Sequence, residues 1–122
     1  MHMYESLNQR NLEGFLEGVD EDVEFRSLIA ESEGETFRGH EGVRAWWTQV
    51  VQALGGLGFE ITDYSEEGET GVVKLRVRGN VGTTGIEQVM FQGIALRDGK
   101  AIWWETFRTE SEAWARVRER FG

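Results

Sequence analysis

The sequence predicts an α+β protein in which helices come first, an antiparallel sheet follows, and the helices pack against one face of that sheet. Three observations carry this prediction. Apolar residues recur at helical spacing through the N-terminal half, four runs of strand-forming residues follow, and Gly-containing turn signals separate those runs.

Tyr4 and Leu7, then Leu12, Phe15, Leu16 and Val19, fall at helical spacings on either side of a polar break at Asn8 to Asn11, so two short helices are predicted. Asn11 is placed to cap the second, and Gly18 and Asp20 end it before a strand from Val23 to Leu28. The polar stretch Ala30 to Glu35 reads as a loop. Val43, Trp46, Trp47, Val50, Val51 and Leu54 recur at i, i+3, i+4, i+7, i+8 and i+11, with Arg44, Thr48 and Gln52 on the other side. This spacing predicts a longer amphipathic helix, stopped by Gly55-Gly56.

The strands form a meander. Phe59 to Ser65 leads through a turn at Glu66 to Glu69 into Thr70 to Gly79, and a glycine-rich turn over Gly79 to Gly85 leads into Ile86 to Arg97. Asp98-Gly99 suits a tight hairpin into Lys100 to Arg108. Thr109-Glu110-Ser111-Glu112 has the form of a capping box opening a last helix, which is expected to bury Trp114, Val117 and Phe121.

Alternation adds detail. Val73, Leu75 and Val77 share one face of their strand, while Lys74, Arg76 and Arg78 share the other and are expected to pair with nearby acids. The next strand carries bulky apolar groups on both faces: Ile86, Met90, Ile94 and Leu96 against Val89 and Phe91. A helix layer covers one side only, so a homodimer through the sheet is expected to close the second, with strong sheet curvature as the alternative.

The bulk numbers exclude several classes. A chain of 122 residues is long enough for one domain, spanning 1–122, with a single core. Its 13 Lys and Arg against 22 Asp and Glu give a net charge of -9, which repels phosphate backbones, so nucleic acid is not an expected partner. There is no Cys, hence no disulfide framework or thiolate nucleophile. No apolar run approaches a membrane span, the N-terminal residues show no basic segment followed by an apolar one, and a cytoplasmic protein is expected.

Four pieces, in this order and spacing, resemble the SnoaL-like and ketosteroid-isomerase-like branch of the nuclear transport factor two-like superfamily. They are Tyr4-Glu5-Ser6-Leu7-Asn8 with Asn11-Leu12-Glu13, Asp20-Glu21-Asp22-Val23-Glu24-Phe25, Phe37-Arg38-Gly39-His40-Glu41-Gly42-Val43, and Leu96-Arg97-Asp98-Gly99-Lys100. The resemblance implies a cone-shaped, cystatin-like curved sheet with the N-terminal helices on its concave face, and a pocket in the cone's mouth for a small apolar organic ligand. It also implies a first helix longer than the one this chain carries.

The catalytic constellation does not carry over. Ketosteroid isomerases place a carboxylate base late in the first strand, where alignment through Asp20-Glu21 and Gly39 puts Arg26. Their protonated aspartate on the fourth strand corresponds to Gly93. Tyr4 matches the helix tyrosine only across a one-residue gap. The Asp-Arg-Asp set of limonene epoxide hydrolases is not recognisable either, since Thr106 and Arg108 stand on the last strand.

What remains is a candidate set. Glu24 and Arg26 lie two apart on one strand and share a face, which the resemblance turns into the pocket. There Glu24 would act as base and Arg26 or Arg108 would stabilise an enolate, with Tyr4 donating a hydrogen bond. The alternative is an ion pair at the sheet rim. Ile102, Trp104, Thr106 and Arg108 share a face on the last strand, with Trp104 as an aromatic wall or as core. Gln88 and Gln92, on the face of Met90 and Ile94, would bond a ligand or a symmetry mate, because buried amides need partners. Trp46, Trp47 and Trp114 sit at core spacing, and His40 reads as local packing at a helix start. No metal ligand set and no cofactor motif is present. The implied activity is that of a cofactor-free isomerase, cyclase or dehydratase acting on a carbonyl compound, with a non-catalytic binding protein or a dimerisation module as alternatives.

Overall fold

The chain opens with two short helices, α1 (His2–Asn8) and α2 (Leu12–Glu17), and the break between them has a chemical cause: Asn11 Oδ1 accepts from the Gly14 amide at 3.0 Å and caps α2. The structure, a computed structural model, describes residues 2–26, 36–52, 58–81 and 83–122, and among these not the side chains of residues 2–4, 50–52, 81 and 86. The expected loop at Ala30 to Glu35, the helix stop at Gly55-Gly56 and the Tyr4 side chain therefore lie outside the described residues.

The first strand, β1 (Val19–Arg26), starts earlier than expected, directly after the Gly18 cap. A short β2 (Phe37–Arg38) pairs with it and leads into α3 (Gly39–Trp46). His40 Nε2 donates to the Val19 carbonyl at 2.9 Å, tying the start of α3 to the start of β1, which is the local packing read for it. A π-helical turn, Trp47–Gln52, continues α3, and the apolar spacing alone does not tell the two windings apart.

The meander comprises β3 (Gly58–Glu67), β4 (Thr70–Val81), β5 (Thr84–Arg97) and β6 (Lys100–Phe107). At the last hairpin Asp98 (φ 54°) and Gly99 (φ 78°) both take the left-handed conformation that a two-residue turn requires. The six strands lie in the order β2-β1-β6-β5-β4-β3. All pairs are antiparallel except β1 and β6, which run parallel, so the sheet is mixed rather than purely antiparallel. It is strongly curled, with α1, α2 and α3 on the hollow side, the cone expected from the resemblance.

The last helix, α4 (Glu110–Phe121), starts at the expected Thr109 cap: Thr109 Oγ1 accepts from the Glu112 amide at 3.2 Å, and the Glu112 carboxylate takes the Thr109 hydroxyl at 2.9 Å rather than the Thr109 amide of a full capping box. It lies on the outer side of the sheet. Two apolar clusters therefore share one sheet. The cone side holds Phe15, Val23, Phe25, Leu75, Ile94 and Trp104, and the outer side holds Val72, Ala95 and Trp103 beneath Ala113 and Val117 of α4.

This arrangement revises the reading of β5. Its second apolar face does not wait wholly for another subunit, because α4 of the same chain covers Phe91, while Val89 stays 44% exposed. Gly93 permits the contact. A Cβ there would come within 2.9 Å of the Trp103 ring and 3.1 Å of Val117 Cγ2, so a side chain would lift α4 off the sheet. Within α4 the buried residues are Ala113 and Val117, with Trp114 half-buried and Phe121 40% exposed at the edge of the Trp103 ring. Arg76 pairs with Glu60 and Glu87, and Arg78 with Glu87, as expected for these two members of the basic stripe on β4.

Candidate functional site

Register fixes the cone interior row by row. Phe25 on β1 stands opposite Trp104 on β6, and Trp104 stands opposite Ile94 on β5. Two residues further along, roughly 7 Å by strand rise, Thr106 stands opposite Gln92, and Gln92 opposite Val73. The first row is an aromatic wall. Trp104 stacks on Phe25 with ring centroids 4.3 Å apart, Trp46 from α3 meets Phe25 edge-on at 5.7 Å, and Phe15 meets Trp104 edge-on at 5.9 Å.

The second row introduces polarity. Gln92 is 8% exposed and its Oε1 has no hydrogen-bond partner. Trp46 is 5% exposed, and its indole Nε1 likewise has none. Groups left this way typically cost about 1–3 kcal/mol each in a folded protein. Among the described residues the buried polar or charged ones are Ser6, Gln92 and Glu105.

Glu24 and Arg26 lie on the other face. Glu24 stands opposite Trp103, not Trp104, and it bonds Arg120 of α4 at 3.0 Å and Arg38 at 2.8 Å. Arg26 stands opposite Glu105, whose carboxylate takes Arg116 Nη1 of α4 at 3.1 Å on both oxygens. The pair does share a face, but Val23 and Phe25 take the cone side of β1, so the face of Glu24 and Arg26 is the one beneath α4. The alignment that put Arg26 and Gly93 at pocket positions is corrected accordingly, since both residues face α4. Placed there, Glu24 is an ion-pair partner at the rim.

The other candidates divide. Trp104 is 2% exposed in the cone wall, Thr106 is half-buried beside Gln92, Gln88 faces the cone side opposite Val77 but is exposed, and Arg108 is exposed just beyond β6. Ile102 does not share the face of Trp104. A bulge between the Ala95–Trp103 and Leu96–Ala101 pairs inserts it on the outer side, where it packs against the α4 cluster.

Two groups carry more than the sequence reading assigned them. Trp46 was read as core, which it is, but its indole N–H is an unpaired donor there. Glu105 was not singled out, although it lies on the face opposite Trp104 and next to Arg26 in register. Burial pushes its carboxyl above the usual range, and Arg116, Arg26 and Arg120 pull in the opposite sense. Among the described residues no cluster of three metal-ligating side chains forms, and no helix is long and apolar enough to cross a membrane.

A depression of about 400 Å³ lies elsewhere, at the hairpin end of the sheet, lined by Glu67, Thr70, Leu96, Arg97, Ile102 and Phe121 among others. It shares no residue with the two rows in the cone.

Comparison with known proteins fits this architecture. The model of the SnoaL-like domain family matches residues 2–116. No curated protein matches the chain. Among solved structures, TerC co-crystallised with polyporic acid is 25% identical, with 97% of this chain and 93% of that one covered and a TM-score of 0.79. A nuclear transport factor two-like protein of unknown function from Burkholderia pseudomallei is 22% identical over 99% and 93% of the two chains, with a TM-score of 0.79. A protein of ketosteroid isomerase-like fold from Catenulispora acidiphila, in complex with trimethylamine, is 14% identical over 93% and 87%, with a TM-score of 0.78. A cone closed by aromatic side chains, the order of its strands and this family match have one conclusion: the chain belongs to the SnoaL-like domain family of the nuclear transport factor two-like superfamily.

Proposed function

We propose that this SnoaL-like domain binds a small, flat and largely apolar organic molecule inside its cone, and that binding rather than acid/base turnover is its function. The observation that carries this is Gln92: a buried amide whose Oε1 has no protein partner, set one row from a wall of stacked aromatic rings. An interior built for stability alone would hold an apolar residue there, because an unpaired buried acceptor costs more than a methylene group. A mostly apolar surrounding with a few placed polar groups is the usual form of a small-ligand site.

The same inventory argues against the isomerase, cyclase or dehydratase reading. The one buried acid among the described residues, Glu105, lies under α4, and Glu24 is engaged by two arginines on that side. Neither is positioned to take a proton from a molecule beside Trp104. The open part of the outer face around Val89 supports a homodimer through β4 and β5 as the assembly that presents two such cones.

The test is a thermal-shift and tryptophan-fluorescence titration with polyporic acid, hydroxylated aromatic ketones, steroids and terpenoid epoxides, run on the wild-type chain and on Gln92→Leu. Saturable stabilisation of the wild type, weakened in the variant, is the expected result. No shift with any compound would refute the reading.

A further inference from the structure

β3 (Gly58–Glu67) is the long free edge of the sheet, because the order β2-β1-β6-β5-β4-β3 leaves it with one neighbour, and β2 at the opposite edge has two residues. A free edge offers a row of backbone N–H and C=O groups on which another strand can add. Here the row is interrupted. Asn8, the last residue of α1, lies 51 residues from Phe59 in the chain, yet its Nδ2 donates to the Phe59 carbonyl at 2.6 Å and its Oδ1 accepts from the Phe59 amide at 2.7 Å. A side-chain amide that holds both backbone groups of one residue does what a neighbouring strand would do.

Register shows which residues face out. In an antiparallel ladder successive residues aim their backbone groups alternately at the partner strand and away from it. Phe59, opposite Val77, gives its groups to Asn8, so Ile61, opposite Leu75, also faces the free edge. A bulge then inserts Thr62, whose hydroxyl donates to the Lys74 carbonyl at 3.4 Å, and brings Tyr64 opposite Val73 with its amide outward. The Asp63 carboxylate accepts from that amide at 2.8 Å. Between the two capped residues, the Ile61 amide takes no such cap among the described residues. β3 also carries Glu60, Asp63, Glu66 and Glu67 and no Lys or Arg, so a second copy of the strand would bring acid against acid.

We propose that Asn8 is a strand-mimicking plug that keeps β3 from pairing edge to edge with a second copy of this chain. The bulge, the Asp63 cap and the acidic charge of the strand support it. With the plug gone and the charge screened, two β3 strands pair antiparallel about Ile61, an arrangement that twofold symmetry allows and that joins two sheets into one.

Amide hydrogen exchange and sedimentation velocity on the wild type and Asn8→Ala test the plug. In the wild type, after correction for intrinsic rates, the Phe59 amide exchanges roughly tenfold more slowly than the Ile61 amide, the effect of one hydrogen bond. In dilute Asn8→Ala the two exchange alike. At about 0.5 M salt, where surface charges are screened, the variant associates beyond the wild-type species as its concentration rises, and the Ile61 amide becomes protected as it does so. Because the readout is association beyond the wild-type species, a dimer through β4 and β5 does not enter it. Equal exchange of Phe59 and Ile61 in the wild type overturns the plug, and since this needs no variant, an Asn8→Ala chain that fails to fold does not rescue the proposal. A variant that sediments like the wild type at every concentration and salt overturns it, as does association that leaves Ile61 unprotected, which places the contact elsewhere.

Discussion

The two faces of this one sheet are built by opposite rules. On the cone side, aromatic rings press together and two polar atoms, Gln92 Oε1 and Trp46 Nε1, go without partners. On the α4 side, charged groups are numerous and mostly engaged: Glu24 with Arg38 and Arg120, Glu105 with Arg116, and Arg120 also over the Trp103 ring, while Arg26 Nε and Arg76 Nε are buried without a hydrogen-bond partner. The difference separates stability from function. Charges that satisfy one another within the chain fasten a helix to a sheet, whereas on the ligand-binding proposal the unpaired polar atoms of the apolar cone are the ones a bound molecule would satisfy.

The largest effects should come from breaking the outer face, and they should leave the cone untouched. Trp103→Ala removes the ring that Gly93 makes room for, and by the usual cost of emptying a buried aromatic site it should destabilise the fold by about 3–5 kcal/mol in urea titration. Gly93→Ala attacks the same contact from the opposite side, forcing a methyl against Trp103 and Val117, with an expected cost of about 1–3 kcal/mol. Ligand affinity, measured well below the melting temperature, should stay unchanged in both. A parallel loss of affinity would show that the faces are coupled.

Gln92→Leu should act with the opposite sign. Replacing a buried amide whose Oε1 has no partner with a side chain of similar volume is expected to raise stability, by about 1 kcal/mol, while ligand binding falls. If stability drops instead, Gln92 is paired within the fold and the contrast between the faces is lost. Glu24→Gln sharpens the same contrast from the outside. Its carboxylate pairs with Arg38 and Arg120 at a partly solvated rim, so the loss should be at most about 1 kcal/mol, with no change in ligand affinity.

How much of this was legible depended on how local the cause was. Helices, caps and hairpins follow from neighbours in sequence, so Asn11, Asp98-Gly99 and Thr109 with Glu112 were readable in place. The parallel pairing of β1 with β6 joins segments far apart in the chain, and no turn residue encodes it. Parity along β6 was readable except at Ile102, where one bulged residue inverts the face and leaves no composition signal. For β1 the alternation itself held the answer: Val23 and Phe25 are the apolar pair and take the core, so Glu24 and Arg26 must take the other side. The register borrowed from the resemblance pointed the other way. Trp46 shows a different limit, because spacing identifies a buried ring but not whether its N–H finds an acceptor.

Glu105 offers the finest probe of the outer face, through pH. Burial holds its folded-state pKa above the unfolded value, with Arg116, Arg26 and Arg120 opposing that shift and Glu24 adding to it. A carboxyl raised on folding binds its proton more tightly in the native state, so its contribution to stability is greatest when protonated. That contribution is lost as pH rises from the ordinary carboxylate range through the raised pKa. Asp20, whose carboxyl the Asp22 amide and Arg97 hold below the ordinary range, has the reverse slope, so the comparison must be differential. The urea midpoint of the wild type minus that of Glu105→Gln, followed from pH 4 to 7, should decline as pH rises. Above the raised pKa the difference should level off at whatever the ionised Glu105–Arg116 pair contributes beyond an uncharged amide. A difference that grows with pH would mean that the arginines outweigh burial, and that the charge under α4 stabilises the sheet it rests on.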